Sequence, residues 1–450
     1  MAAHGAPRLF GQSWRLTVAV VLIAALALTG GASRYDEDQQ MVARVIAVVA
    51  VTATLWPLDW ATLRRQTAPL IAAGGIFGLV LVQLIPLPPS LWAALPGHDA
   101  YAVIAEASGT AGWRPLSLTP DLTLNALGGL LPALAAGLAA LHLDTRSRQR
   151  LVMALVAVAA AGATLGLVQL AMGGDSLHLF RESSENAPVG LFANRNHQAV
   201  LMACALPMTG ALAGLKLREG GNRPLIVFTA IGLGTLFLLA LILTASRMGL
   251  LLAVIGVAGA VVGFRASGQR LLPKGARGWA TGAGGVALIL ASMILLAARG
   301  GAIARLIHPD PAGETRSAML APLIETARAF LPLGSGFGSF DSVYRRFEPD
   351  AQLSTIYMNQ AHNEPLQLAI EGGVPALILL TIFCSWWART AIRAAGSRES
   401  TTRRSLAIAA IAMTVILMAS SLVDYPLRTP LLGALFAIAC VEMRRAARPA

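Results

Sequence analysis

Long apolar runs follow one another along most of the chain, with polar segments between them. An α-helix of about 20 apolar residues crosses the roughly 30 Å hydrocarbon core of a bilayer. The pattern therefore predicts an all-α polytopic membrane protein with about twelve transmembrane helices. The predicted spans are 15–33, 41–58, 67–87, 122–142, 151–172, 197–215, 224–244, 248–264, 279–298, 364–388, 405–423 and 427–443.

The first apolar run has two interpretations. Arg8 and Arg15 precede it and small residues follow it, as in a secretory signal peptide. Because the run is longer than a usual signal core, we predict a retained helix instead. The even number of spans then places both termini on one side of the membrane.

The composition agrees with a membrane protein. The 450 residues are 56% hydrophobic and only 13% charged, whereas a soluble domain carries about 25% charged residues. Cys204, Cys384 and Cys440 lie inside apolar runs without metal-ligand spacing. We interpret them as small core residues rather than as disulfides or zinc ligands.

The basic residues predict the orientation. A net charge of +12 would suit nucleic acid, but in a membrane protein arginines first mark the cytoplasmic connections. Alternate connections are indeed short and rich in arginine, so no nucleic-acid partner is expected. These basic connections hold Arg64, Arg65, Arg146, Arg148, Arg150, Lys216, Arg218, Arg223, Arg265, Arg270, Lys274, Arg277, Arg389, Arg393, Arg398, Arg403 and Arg404.

The other connections are mixed in charge and are predicted to face the periplasm, so both termini are predicted to be cytoplasmic. These connections are 34–40, 88–121, 173–196, 245–247, 299–363 and 424–428. The segment 86–121 is rich in Pro, Trp and Gly, and it is predicted to form a cap at the membrane surface with Trp92 and Trp113 at the headgroup level. No second domain is apparent in the single membrane domain 1–450.

The large periplasmic loop, 299–363, is predicted between the ninth and tenth helices and to carry part of an active site. Its last residues enter a span in which Glu371 follows about two turns later. A carboxylate at that depth costs a few kcal/mol unless it is paired, which marks a candidate functional site.

Three arginines are candidates for binding an anion such as a diphosphate, because a guanidinium stays charged and offers a forked set of donors. Arg247 stands between two spans on the side where arginine is otherwise sparse, although it could equally snorkel to lipid phosphates. Arg195 lies in NRNHQ at a helix start, where Asn194 or Asn196 could bind a ligand or serve as an ordinary helix cap. Arg316, in the large loop, is the third candidate.

His362 is the candidate general base, because an imidazole accepts protons near neutral pH. It precedes Asn363 and Glu364 at a helix start, within a polar cluster, although a single histidine is more often structural. Glu371 is expected to be too far along the helix to orient His362 and to pair with an arginine instead. Asp424 with Arg428 forms another polar pair at an outer turn, as compatible with structure as with function.

Two other kinds of site are disfavoured. GSGFGSF (334–340) resembles a nucleotide-binding glycine loop, but no strand precedes it and the loop is predicted to be extracytoplasmic, so these glycines are interpreted as a turn. The acidic residues Asp341, Glu348 and Asp350 lack metal-ligand clustering. Neither a metal nor a cofactor is predicted.

These motifs together resemble the O-antigen ligase and O-antigen polymerase family of bacterial inner-membrane glycosyltransferases. The resemblance covers most of the chain and depends on NRNHQ, the turn Ser246-Arg247, the stretch from TRSAM to PLGSGFGSF, AHNEPLQLAIEGG and SLVDYPLRTP. It implies a glycan donor on undecaprenyl diphosphate at the periplasmic face, and transfer to an acceptor hydroxyl without metal and with inversion. His362 would take the acceptor proton, while Arg247 and Arg316 would stabilise the leaving diphosphate.

The acceptor stays open. A lipid A–core acceptor would define a ligase of lipopolysaccharide biosynthesis, a second lipid-linked glycan a polymerase of O-antigen or exopolysaccharide, and a pilin-like serine a protein O-oligosaccharyltransferase. A transporter of lipid-linked sugars is the alternative from another class. It should have paired broken helices near the midplane and ionisable groups along a path through the bilayer, whereas here the charge gathers at one face.

Overall fold

The computed structural model describes residues 12–55, 67–173, 177–180, 187–270, 318–350, 353, 358–397 and 400–447. In these ranges the regular secondary structure is helical apart from one pair of two-residue strands, in agreement with the predicted all-α class. Turns and loops connect these elements.

The helices fall into two groups, on either side of residues 271–317. The first group is α1 (Gln12–Thr29), α2 (Asp38–Leu55), α3 (Thr67–Val82), α4 (Pro89–Ala93), α5 (Asp99–Ala107), α6 (Pro120–Gly129), α7 (Leu131–Leu141), α8 (Thr145–Ala171), α9 (Arg195–Arg218), α10 (Arg223–Leu243) and α11 (Arg247–Ala266). The second group is α12 (Leu320–Phe330), α13 (Phe340–Tyr344), α14 (Glu364–Gly396), α15 (Thr401–Ser420) and α16 (Pro430–Ala446), with a 3-10 turn at Pro426–Arg428. Strands β1 (Pro86–Leu87) and β2 (Arg114–Pro115) pair antiparallel.

Helices occupy most of each predicted span that the structure describes. The span predicted at 122–142 corresponds to one candidate membrane span, Pro120–Leu141, in which α6 and α7 meet at Leu130 with helical φ and ψ angles. The span predicted at 279–298 lies outside the described residues. Among the described residues, eight helices are long and apolar enough to cross a membrane. The count of twelve and the orientation stay predictions.

Helix α9 lies at the centre of the bundle, with nearly all its side chains buried. It packs closely against α11 along its length, because glycines of both helices allow close approach. Contacts at both ends show that the two helices run parallel. A Cβ added at Gly249 would lie 2.7 Å from Ala199 Cβ, and one added at Gly214 would lie 2.9 Å from Ser267 Cβ. The first residues of α9 and α11 therefore lie at the same end of the bundle.

Other connections meet at this end, which we call the site end. The Asn196 side chain, at the start of α9, donates a hydrogen bond of 2.8 Å to Asp424, which follows α15. The Leu431 N–H, at the start of α16, donates to Gly30 O after α1 at 3.0 Å. Four of the connections predicted to face the periplasm thus adjoin one another.

At the opposite end of the bundle, arginines link three helices. Arg148 at the start of α8 and Glu442 near the end of α16 form a buried ion pair with a 2.7 Å separation. Arg445 donates to Leu143 O at 2.9 Å and to Leu141 O, and so binds carbonyls at the C-terminal end of α7. These contacts join α7, α8 and α16 at the end away from Asp424.

The 86–121 segment forms a compact unit with α12, α13 and the start of α14. Gly97, with φ of 77°, lies against Phe330, and His98 packs edge-on to the Phe330 ring at 6.4 Å between centroids. Trp92 is buried and its Nε1–H donates to Pro115 O at 2.8 Å. Trp92 therefore packs inside the cap, whereas Trp113 is exposed. The position of both residues at the headgroup level stays a prediction.

Helix α14 is broken at Gly373, whose φ of 60° and ψ of −154° are not helical. The Val374 N–H donates to Pro332 O at 2.8 Å instead of into its own helix. Pro375 has no N–H to offer. The break therefore deprives the carbonyls of residues 370 and 371 of their helical partners.

The glycine loop 334–340 replaces those partners. The N–H groups of Ser335 and Gly336 donate to Ile370 O and Glu371 O, each at 2.9 Å, and Gln83 Nε2 also donates to Glu371 O at 2.9 Å. Irregular backbone at membrane depth is tolerated where protein satisfies it in this way. The prediction that these glycines form a turn is confirmed by the positive φ angles of Gly334, Gly336 and Gly338.

Candidate functional site

Three helix starts and one interhelical turn build the site. Helices α9, α11 and α14 begin after the N-cap residues Asn194, Ser246 and Asn363, whose side chains accept from the backbone N–H groups of their first turns. The turn 421–428 joins them, because Glu364 N–H donates to Ser421 O at 2.9 Å. The positive ends of three helices consequently face one region.

His362 and Asp424 form a hydrogen-bonded pair in this region. Nδ1 of His362 lies 3.1 Å from Asp424 Oδ1, and the imidazole keeps 18% of its surface exposed. An ionised carboxylate only accepts, so Nδ1 carries the proton and Nε2 holds the free lone pair. His362 also has a φ of 49°, a strained backbone conformation that non-glycine residues seldom adopt outside functional sites.

Asp424 is held in place by several donors. Its Oδ2 accepts from Asn196 Nδ2 at 2.8 Å, and its Oδ1 also accepts from the Tyr425 N–H at 3.0 Å. Burial alone would raise the pKa of Asp424, but the imidazoles of His362 and His197 favour the charged form and hold this pKa well below its usual range. The pair is therefore an imidazole oriented by an ionised carboxylate.

A second ionic cluster lies beside the pair. Arg428 Nε donates to both oxygens of Glu364 at 3.1 and 3.2 Å, and its Nη2 donates to Glu371 Oε2 at 3.3 Å. Burial would lower the pKa of Arg428, but the two carboxylates raise it. The expected pairing of Asp424 with Arg428 is wrong, because Asp424 binds His362 and Arg428 binds the glutamates of α14. The expected pairing of Glu371 with an arginine is confirmed.

The predicted anion-binding arginines lie in different places. Arg195 is half-buried at the start of α9, and Arg247 is exposed at the start of α11, both at the site end. Arg316 lies outside the described residues. Asn194 is a helix cap, as its structural alternative predicted, whereas Asn196 contacts the carboxylate of Asp424. Asn363 is also a helix cap.

Two residues of the site were not selected from the sequence. The Tyr425 ring lies between two imidazoles, with centroids 5.1 Å from His197 and 4.7 Å from His362. His197 Nε2 lies 3.7 Å from Asp424 Oδ1. The available signals were the place of His197 in the polar motif NRNHQ and the adjacency of Tyr425 to Asp424, but one histidine or one aromatic residue is by itself weak evidence.

The arrangement can move a proton at a rim that also holds cationic groups. His362 Nε2 can accept a proton while Asp424 stabilises the resulting imidazolium. Within the described ranges, His, Cys, Asp and Glu do not form a group of three suited to a metal ion. The absence of a metal and of a cofactor from the reaction stays a prediction.

The fold and this site define a polytopic membrane protein with a histidine and carboxylate pair at one end of its helical bundle. Residues 232–381, a third of the chain, match the family model described as O-antigen ligase. The chain carries this domain, and its resemblance to the O-antigen ligase and polymerase family is confirmed. The match includes Arg247, His362, Glu364 and Glu371 and ends before Asp424. No curated protein matches the chain significantly.

This family match supports a function of the O-antigen ligase or polymerase type in general, with a lipid-linked glycan and an acceptor as substrates.

Proposed function

We propose that the protein is a glycosyltransferase that moves a glycan from undecaprenyl diphosphate to an acceptor hydroxyl, with His362 as general base. The 3.1 Å contact between His362 Nδ1 and Asp424 Oδ1 carries this proposal, because it leaves Nε2 as the proton acceptor. Of the acceptors, the lipid A–core of a ligase is our first choice, since the matching family model is that of O-antigen ligase.

In the proposed reaction, the acceptor oxygen attacks the anomeric carbon of the donor as its proton passes to His362 Nε2. The bond between that carbon and the diphosphate oxygen breaks, and attack from the opposite side inverts the configuration. The electron pair leaves with undecaprenyl diphosphate. Asp424 offsets the positive charge that develops on His362, as carboxylates do beside catalytic imidazoles.

The leaving diphosphate gains negative charge, so cationic groups that meet it lower the barrier. We assign this role to Arg247 and Arg195 at the helix starts, and to Arg316 from the resemblance to the family. Arg428 is not assigned to it, because its guanidinium is already shared by Glu364 and Glu371.

We further propose that the site end faces the periplasm across the bacterial inner membrane. The buried Arg148 and the carbonyl-binding Arg445 lie at the other end, near Arg146 and Arg150. Arginine-rich connections remain in the cytoplasm, which supports this orientation. Outer-leaflet membrane lipids would then surround the mouth of the site.

The test is complementation of a strain that lacks the gene, with surface polysaccharide and lipid-linked glycan measured together. We expect His362→Gln to abolish complementation and His142→Gln, a change after α7 at the opposite end of the bundle, to preserve it. Equal complementation by both variants at equal membrane abundance would refute the role of His362.

The same strain distinguishes the acceptors. Full-length glycan retained on the lipid carrier indicates a ligase, whereas single repeat units retained on the carrier indicate a polymerase. Loss of glycan from a surface protein alone indicates a protein O-oligosaccharyltransferase. Translocation of lipid-linked sugar by the purified protein, without a new glycosidic bond, would favour a transporter and overturn the proposal.

A further inference from the structure

The carboxylate of Asp424 faces two imidazoles rather than one. His362 lies at the exposed rim of the site, and His197 lies behind it, buried in α9 with 1% of its surface accessible. Both rings approach the same oxygen, Oδ1, from His362 Nδ1 at 3.1 Å and from His197 Nε2 at 3.7 Å. The Tyr425 ring meets both imidazoles edge-on.

His197 Nε2 has an unused hydrogen-bonding position. Among the described residues, no hydrogen-bond partner reaches it, and 3.7 Å to Asp424 is beyond a hydrogen bond. A buried polar nitrogen without a partner destabilises the fold, because it has lost its hydrogen bonds to water and gained none from the protein. Such a group calls for an explanation, and its nearest anion is the carboxylate that orients His362.

The carboxylate already accepts three hydrogen bonds. His362 and the Tyr425 N–H donate to Oδ1, and Asn196 donates to Oδ2, so His197 would add a third contact at Oδ1. A free lone pair of His197 Nε2 would repel the carboxylate, so the tautomer with Nε2–H is the favoured one. Closure by a few tenths of an ångström would bring the Nε2–H within hydrogen-bond distance of Oδ1, which three donors would then share.

We propose that His197 is a positioning residue for the transfer reaction, which donates to Asp424 and fixes the carboxylate against His362. This inference rests on the proposed function, in which His362 is the base. His197 is anchored between Phe192 and Tyr425, with ring centroids 6.1 and 5.1 Å away. The buried imidazole therefore sets the place of the carboxylate, while the imidazole at the rim accepts the proton.

Two substitutions separate this role from a purely structural one, because the two roles rank them in opposite order. His197→Phe keeps a ring among Phe192 and Tyr425 but removes the donor. His197→Gln loses the ring but places an amide N–H near the position of Nε2. If His197 only fills space, His197→Phe should retain more activity than His197→Gln. If His197 positions Asp424, His197→Gln should retain more.

The assay uses purified full-length protein and lipid-linked glycan extracted from the deletion strain, with that strain's membranes as acceptor. Each rate is divided by the fraction of the protein that elutes as a single monodisperse peak in size-exclusion chromatography, so that rates refer to folded protein. We expect His197→Phe to lower kcat about tenfold with KM for the donor within about twofold of the wild type. His197→Gln should restore most of the rate. A rate of His197→Phe equal to that of the wild type, or higher than that of His197→Gln, would overturn the inference.

A third measurement applies even where one variant folds poorly. If His197 acts through Asp424, adding His197→Phe to Asp424→Asn should lower the rate no further, whereas independent effects would multiply. Multiplied losses would refute the inference. The proposed function is tested separately by His362→Gln. If that variant is inactive while both His197 variants match wild type, only the role of His197 fails; if it is active, both proposals fail.

Discussion

Asp424 Oδ1 lies 3.1 Å from His362 Nδ1, although 62 positions of the sequence separate the two residues. The half-buried imidazole and the buried carboxylate come from different interhelical connections. Their contact turns two ordinary polar residues into a base and its orienting anion.

Asp424→Asn should therefore lower the rate of transfer by at least about a hundredfold, because an amide can present its N–H to Nδ1 and favour the wrong tautomer of His362. Initial rates per folded protein check this. Asp341→Asn is the matched control, since Asp341 forms its ion pair with Arg345 in α13, outside the site. A similar loss in both variants would show that the effect is not specific to the pair.

The low pKa of Asp424 predicts a pH dependence of stability. Since the pKa in the folded state lies below the unfolded value of about 3.9, the ionised carboxylate stabilises the fold above that value, and the contribution is lost as the pH falls through the folded pKa. Thermal melts in detergent should show a constant difference between wild type and Asp424→Asn above about pH 5, which shrinks below about pH 4. A difference that instead grows on acidification would contradict the assigned direction.

The two glutamates bound to Arg428 predict an order of stability. Arg428→Met leaves two carboxylates buried without their cation and should cost about 3–5 kcal/mol. Glu371→Gln leaves a one-to-one pair of Arg428 with Glu364, and its amide can still accept from Gln367, so its cost should be much smaller. Unfolding midpoints measured side by side check the order. Equal destabilisation by the two variants would show that the cluster does not act as a shared ion pair.

Gly334 gives a test of the helix break. Its φ is 82°, and an added Cβ would lie 2.5 Å from Glu371 O, so Gly334→Ala combines backbone strain with a clash. Gly109 has a φ of 66° with open space around it, so Gly109→Ala isolates the strain, about 1–2 kcal/mol. We expect Gly334→Ala to be the more destabilising by thermal melting. Equal unfolding midpoints of the two variants would mean that the loop 334–340 accommodates the added Cβ without a loss of stability.

The sequence sufficed for the helices and for much of the candidate site. Length and apolarity decide where a membrane helix runs, and polar residues at helix starts such as His362 are exceptional enough to be noticed. The hydrogen-bond and ion-pair partners of the polar residues were harder to predict. Asp424 and Arg428 are one turn apart, yet they bind different groups, because each side chain's direction depends on packing between α14, α15 and α16. Trp92 likewise turned inward once α4 folded against β2.

The donors that the glycine loop gives to Ile370 and Glu371 make residues 334–336 a fixed wall. Lifting this segment would leave Ile370 O without these donors and Glu371 O with Gln83 alone, at a cost of about 1–3 kcal/mol for the unpaired carbonyl. We therefore expect this segment to stay in place during turnover, so that any movement that admits a lipid-linked substrate occurs elsewhere in the protein.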